Sequence, residues 1–217
     1  MRRWAAMWFV LAGPALAQQS PAPTPSPNPT PAPAPRQAPA PARPVSPAER
    51  AATAAAERKA ALDRALAALQ AAGSEQEAAP LEAQARQLWL NGGTPAVTLL
   101  LGRGLRELGA GAAEDATRDF EAALALDPDS VEGWHHLAQA RFAAGDTPGA
   151  VAAISEALKR EPRHFPSWQS LSRFAETRED WKGAYEAWSK ALEIAPKLEG
   201  GAEKLKDLKR RALGDDT

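Results

Sequence analysis

Apolar residues return every three or four positions along most of the chain. Leu62, Leu66 and Leu69 share one helical face, as do Leu81, Ala85, Leu88 and Trp89, with polar residues between them. The pattern predicts helices throughout, and the prolines say where they stop. In "ALKREPRHFPSW" (Ala157–Trp168), Pro162 closes one helix, because proline disfavours the α region for the residue before it; Pro166 opens the next, where its missing N–H costs nothing. The stretch reads as a helix–turn–helix joint.

The joint recurs. Pro128, Pro162 and Pro196 are 34 residues apart, and sliding the chain by 34 also aligns Ala116, Ala150 and Ala184; Phe120, Ile154 and Trp188; Ala123, Ala157 and Ala191; Leu100, Trp134 and Trp168; and Gly104, Ala138 and Ser172. An interval of this length means an array whose units bury their apolar faces only by stacking. These residues resemble the tetratricopeptide repeat, a helix–turn–helix unit with large apolar residues at repeat positions 4 and 7, small ones at 8, 20 and 27, a large one at 24 and proline at 32. Counting from Val131, Trp134, Leu137, Ala138, Ala150, Ile154, Ala157 and Pro162 fill those positions, and Gly145-Asp146 makes the turn. Two departures stand out. Arg103 and Glu107 replace apolar residues in the first unit, and Glu179 replaces the turn glycine of the third, with Asp180 as the expected cap.

The expected architecture is all-α. The resemblance implies a right-handed α-solenoid with units at residues 97–130, 131–164 and 165–198. A helical pair at 48–96 precedes them, either a degenerate repeat or a cap. A helix at 199–213, carrying Leu205, Leu208 and Leu213 on one side, closes the array.

Upstream, the composition changes. Residues 18–47 form a Pro/Ala-rich segment holding 12 of the 20 prolines, with nothing to build a ladder or bury a face, so a disordered, polyproline-like arm is expected. Before it, "MRRWAAMWFVLAGPALAQQ" has two arginines, an apolar run, Gly13-Pro14 and small residues at Ala15 and Ala17. That is the form of a secretory signal cleaved after Ala17, and implies an exported, periplasmic protein of bacterial type. The alternative is an uncleaved N-terminal anchor, but the apolar run falls short of the roughly 20 residues a spanning helix needs. With 26 basic and 27 acidic residues, the charge balance gives no reason to expect nucleic acid as a partner. Having no cysteine removes disulfides and thiol chemistry.

Catalytic chemistry is hard to find in the residues. There is no phosphate-cradling loop and no nucleophile elbow, and the acid pairs Glu114-Asp115 and Glu179-Asp180 sit where helices begin. His135 and His136 are adjacent and so are expected on different sides of a helix, with His164 in a turn. No metal site or cofactor is expected from them, and the chain reads as a non-enzyme. The basic stretch Lys204–Arg211 reads as a solvated helix face.

What the resemblance implies is binding of a protein or peptide. In that family the first helix of each unit lines a concave groove, which here assigns Leu101, Leu105, Leu108, His135, Gln139, Phe142, Gln169, Arg173 and Glu176 to the partner site. The family's pattern for gripping a chaperone's terminal carboxylate is absent, since Leu101, Leu105, Pro166 and Ser170 occupy its positions. A competing occupant of the groove is the chain itself, through residues 48–72. A different reading is a self-associating component of the cell envelope, joined through the C-terminal helix.

Overall fold

A computed structural model describes residues 46–214; the expected signal segment and nearly all of the Pro/Ala-rich arm lie outside them. Nine α-helices and no strand occur among the described residues: α1 (Pro47–Ala71), α2 (Glu75–Leu90), α3 (Pro95–Gly109), α4 (Ala113–Leu126), α5 (Val131–Ala143), α6 (Thr147–Arg160), α7 (Phe165–Thr177), α8 (Trp181–Ile194) and α9 (Gly201–Leu213). Pro47, the last residue assigned to the arm, is instead the first of α1. Ser46 caps that helix in a reciprocal box, accepting from the Glu49 amide while Glu49 accepts from its own.

Local signals place the ends of the helices. Thr94, Ser130, Asp146 and Asp180 each accept a hydrogen bond from the amide three residues on. The turns inside the hairpins α3–α4, α5–α6 and α7–α8 are left-handed at positions 34 residues apart: Gly111 (φ 82°), Gly145 (φ 86°) and Glu179 (φ 58°). A side chain resists that conformation, so Glu179 carries a strain that its two equivalents avoid.

Within each hairpin the helices approach at small residues. Ala116, Ala123, Ala138, Ala150, Ala157, Ala184 and Ala191 are fully buried. Size is traded across the contact: Phe120 fills the space over Gly104, where an added Cβ would lie 2.7 Å from its ring. Arg103 is explained by Asp119 on the facing helix, a buried carboxylate that accepts from both Nε and an Nη of the guanidinium. The pair replaces an apolar contact and holds the Asp119 carboxyl below the usual range, the hydrogen bond from Arg103 outweighing burial.

The leading hairpin departs from an array. α2 makes no extended contact with α3; it lies against α5, while α1 reaches α8. Leu62, Leu66 and Leu69 of α1 share a cluster with Ala78 and Ala85 of α2, Phe165 at the start of α7, Ala191 of α8, and Ala195 and Leu198 in the segment that follows it. At the other end α9 covers the last hairpin, with Leu208 packed on Ala184 and Trp188. Lys206, Lys209, Arg210 and Arg211 of its basic face are exposed, and Lys204 is half-buried. Lys204 lies over the Trp188 ring and Arg211 over that of Trp181, the cations resting on apolar surface that the helix itself covers.

Candidate functional site

The face of α5 and α7 expected to form the groove is partly occupied, and the occupant is α2 rather than residues 48–72. Trp89 meets His164 edge-on with centroids 4.4 Å apart and Phe165 at 5.7 Å. Arg86 lies over the Phe165 ring and donates to the Gln169 side chain at 3.2 Å.

Under this cover sits a polar network that the sequence did not lead one to expect. Adjacent residues on a helix differ by about 100°, which separates their Cα–Cβ directions but not the ends of two imidazoles that bend toward the same neighbour. All three histidines of the chain converge on Glu132. His136 Nε2 donates to Glu132 Oε2 at 3.0 Å and His164 Nε2 to Oε1 at 3.2 Å. Ser167 donates to His164 Nδ1 at 2.7 Å and accepts from His135 Nδ1 at 3.2 Å. Gln139 donates through its amide nitrogen to His135 Nε2 at 3.1 Å, while its oxygen accepts from His136 Nδ1 at 3.2 Å. With the amide in this orientation, both ring nitrogens of His136 face acceptors, and both oxygens of Glu132 face imidazole nitrogens.

The electrostatics agree with that arrangement. Burial works to raise the Glu132 carboxyl, but the hydrogen bonds from His136 and His164 and their charge outweigh it and hold Glu132 well below the usual carboxylate range. Burial drives His135 well below the usual imidazole range, and the neighbouring His136 and His164 push the same way. The walls are aromatic, with Phe120 stacked on His136 and Trp89 against His164.

Beside the network a cleft of about 280 Å³ remains open, lined by Arg86, Gln139, Gln169, Ser170, Arg173 and Lys204, among others, with His135 at its floor. The nine residues assigned to the groove therefore separate. Gln139, Gln169 and Arg173 line the cleft; His135 also borders it, though it is only 4% exposed and bound into the network. Phe142 and Glu176 lie beside it: Phe142 stacks on Phe174 at 4.3 Å under the Arg173 guanidinium, and Glu176 pairs with Lys204 at 2.8 Å. Leu101 is 1% exposed and belongs to the core, so it cannot meet a partner, and Leu105 and Leu108 are half-buried against that core. Arg173 carries no carboxylate partner among the described residues.

A second cleft, about 490 Å³, opens between α6, α7 and α8, with Val151, Trp168, Leu171 and Phe174 on its apolar side.

Residues 107–173 match the sequence family described as Tetratricopeptide repeat. Solved structures share the arrangement. The tetratricopeptide-repeat domain of Sgt2 from Aspergillus fumigatus is 23% identical, over 54% of this chain and 80% of that one, with a TM-score of 0.51. MamA is 17% identical over 76% of this chain and 86% of its own, also with a TM-score of 0.51. The first such domain of Spaghetti (RPAP3), solved bound to an HSP90 peptide, is 14% identical over 54% and 94%, with the same TM-score. At these identities the likeness shows the fold. No curated protein matches the chain.

Proposed function

This chain is a tetratricopeptide-repeat protein, and from that premise we propose that it is a non-catalytic scaffold that holds a segment of a partner protein in the cleft beside α2. The open cleft on α5 and α7, with Gln139, Gln169 and Arg173 turned into it, carries this reading. Gln169, whose oxygen accepts from Arg86, keeps its amide N–H groups for an extended backbone, and Arg173 offers a charge that no carboxylate among the described residues pairs with. Support comes also from the likeness to a domain solved with a peptide bound. The cover provided by α2 sets the limits of the site: a partner reaches the middle of α5 and α7, not Glu132 or His164 beneath Trp89.

The proposal includes export. The signal-like residues 1–17 support a periplasmic protein cleaved after Ala17, with the Pro/Ala-rich arm lengthening its reach. No helix among the described residues is long and apolar enough to cross a membrane. Cell fractionation with N-terminal sequencing tests this half, the expected mature terminus being Gln18; an intact Met1 on membrane-bound protein contradicts it.

The binding half is tested by placing a photo-crosslinking amino acid at Gln169 or, as control, at the exposed Lys159 on α6, in intact cells. A discrete adduct from Gln169 and none from Lys159 is expected. Equal adducts from both positions, or none from Gln169, would remove the cleft as the site.

A further inference from the structure

We propose that Glu132, His135 and His136 form a binding site for a divalent first-row transition-metal ion of the zinc type, behind the cleft that His135 borders. One carboxylate oxygen and one ring nitrogen from each histidine lie within 4.8 Å of one another. Spacings of three and four put all three residues on one turn of α5, each projecting from the same stretch of helix. The Glu132 Oε2 to His136 Nε2 separation of 3.0 Å is already close to the roughly 3.3 Å between two ligands held about 2.0–2.1 Å from a tetrahedral zinc. A ring nitrogen of His135 lies within 4.8 Å of both, and for Nε2 to join them it gives up the hydrogen bond it accepts from Gln139.

The chemistry of the cluster favours an ion. A buried carboxylate is ordinarily matched by a lysine or arginine, yet Glu132 is 6% exposed and its partners are imidazoles alone, the side chains that suit zinc, nickel and copper. Binding replaces the proton on His136 Nε2 with the ion and releases it to solvent.

The supporting partners are also in place. A ligating histidine almost always gives its second ring nitrogen to a fixed acceptor, which sets its tautomer and orientation. Here Gln139 Oε1 accepts from His136 Nδ1 and Ser167 Oγ from His135 Nδ1, while His164 Nε2 holds the second oxygen of Glu132. Aromatic walls keep the cluster dry on one side, and the cleft that borders His135 and Gln139 gives access on the other.

The probe is zinc itself, added to full-length protein stripped with a chelator and followed by competition with a chromophoric indicator; cobalt supplies a visible spectrum. One ion per chain is expected, with a cobalt spectrum of tetrahedral intensity. Glu132→Gln and His136→Gln should abolish binding, and Ser167→Ala should weaken it by about 10–100-fold. Because a variant of a buried residue can fail to fold, the wild-type is also read directly. In ¹H–¹⁵N correlation spectra of the histidine rings, zinc should move the nitrogens of His135 and His136 and leave the Nε2–H of His164 donating to Glu132. Ring signals unchanged at saturating zinc, or stoichiometric binding that persists in a folded Glu132→Gln His136→Gln double variant, would overturn the site.

Discussion

Trp168 donates its indole N–H to the carbonyl of Pro162 at 2.8 Å, and 34 residues earlier Trp134 makes the same bond to Pro128, also at 2.8 Å. The proline that ends one hairpin is thus tied to the aromatic residue that opens the next, so a single contact fixes both the break and the angle of stacking. Trp168→Phe keeps most of the ring and loses the bond, which should cost about 1 kcal/mol. Trp168→Ala should cost about 3 kcal/mol, the low end for tryptophan truncation because the ring is partly exposed. Denaturant unfolding of both variants checks the difference: no cost for Trp168→Phe would mean that the hydrogen bond contributes nothing, and equal costs would mean that the ring adds nothing beyond the bond.

Glu179 should be a removable strain. It is exposed and left-handed, whereas Gly111 and Gly145 hold the equivalent turns. Relieving a left-handed side chain gains about 1–2 kcal/mol, and the greater chain entropy of glycine returns part of it, leaving a net gain of about 0.5–1 kcal/mol for Glu179→Gly. For a domain of this size that is a rise of roughly 2–3 °C in Tm. A fall in Tm would show that the Glu179 side chain holds the turn in place.

The hairpin contacts should reject added volume. Gly104→Ala drives a methyl into the Phe120 ring, and Ala150→Leu overfills a fully buried contact between α5 and α6. Each should cost about 1–3 kcal/mol. Calorimetry of these two beside Ala22→Leu, which lies outside the described residues and is expected to be neutral, checks the 34-residue register.

Asp119 gives the fold an acid-sensitive contact. Its carboxyl is held below its ordinary value, so the stability it contributes is present above the ordinary aspartate range near 3.9 and is lost as pH falls through the lower folded-state value. The Tm difference between wild-type and Asp119→Asn should therefore be largest at neutral pH and shrink below about pH 4. A difference independent of pH would mean that the Arg103 contact does not depend on charge.

The repeat was legible because it is written in residue size and punctuation. Pro162, Pro166, Ala150 and Gly145 act locally or across one hairpin, and their consequences follow from the 34-residue spacing. The placement of α2 was not legible, because its cover over α5 depends on Trp89 meeting His164 and Phe165, residues about 75 positions away that no periodic pattern connects. Glu132 and His135 are buried next to that contact, bonded to His164 and Ser167, so groove positions in the repeat became part of a network. Leu101 failed as a partner residue for a related reason: position within a repeat gives the side of the helix, but the bulk of Phe120 beside Gly104 decides how far the core extends around it.

That a partner lies in the cleft between α5 and α7 is tested most directly by hydrogen exchange on the complex with whatever protein the Gln169 crosslink captures. The account predicts slowed exchange and surface protection centred on Gln139–Phe142 and Gln169–Arg173, with the α6–α8 side around Val151 and Glu186 unchanged. Protection confined to that opposite side, with the cleft residues exchanging as in the free protein, would contradict it.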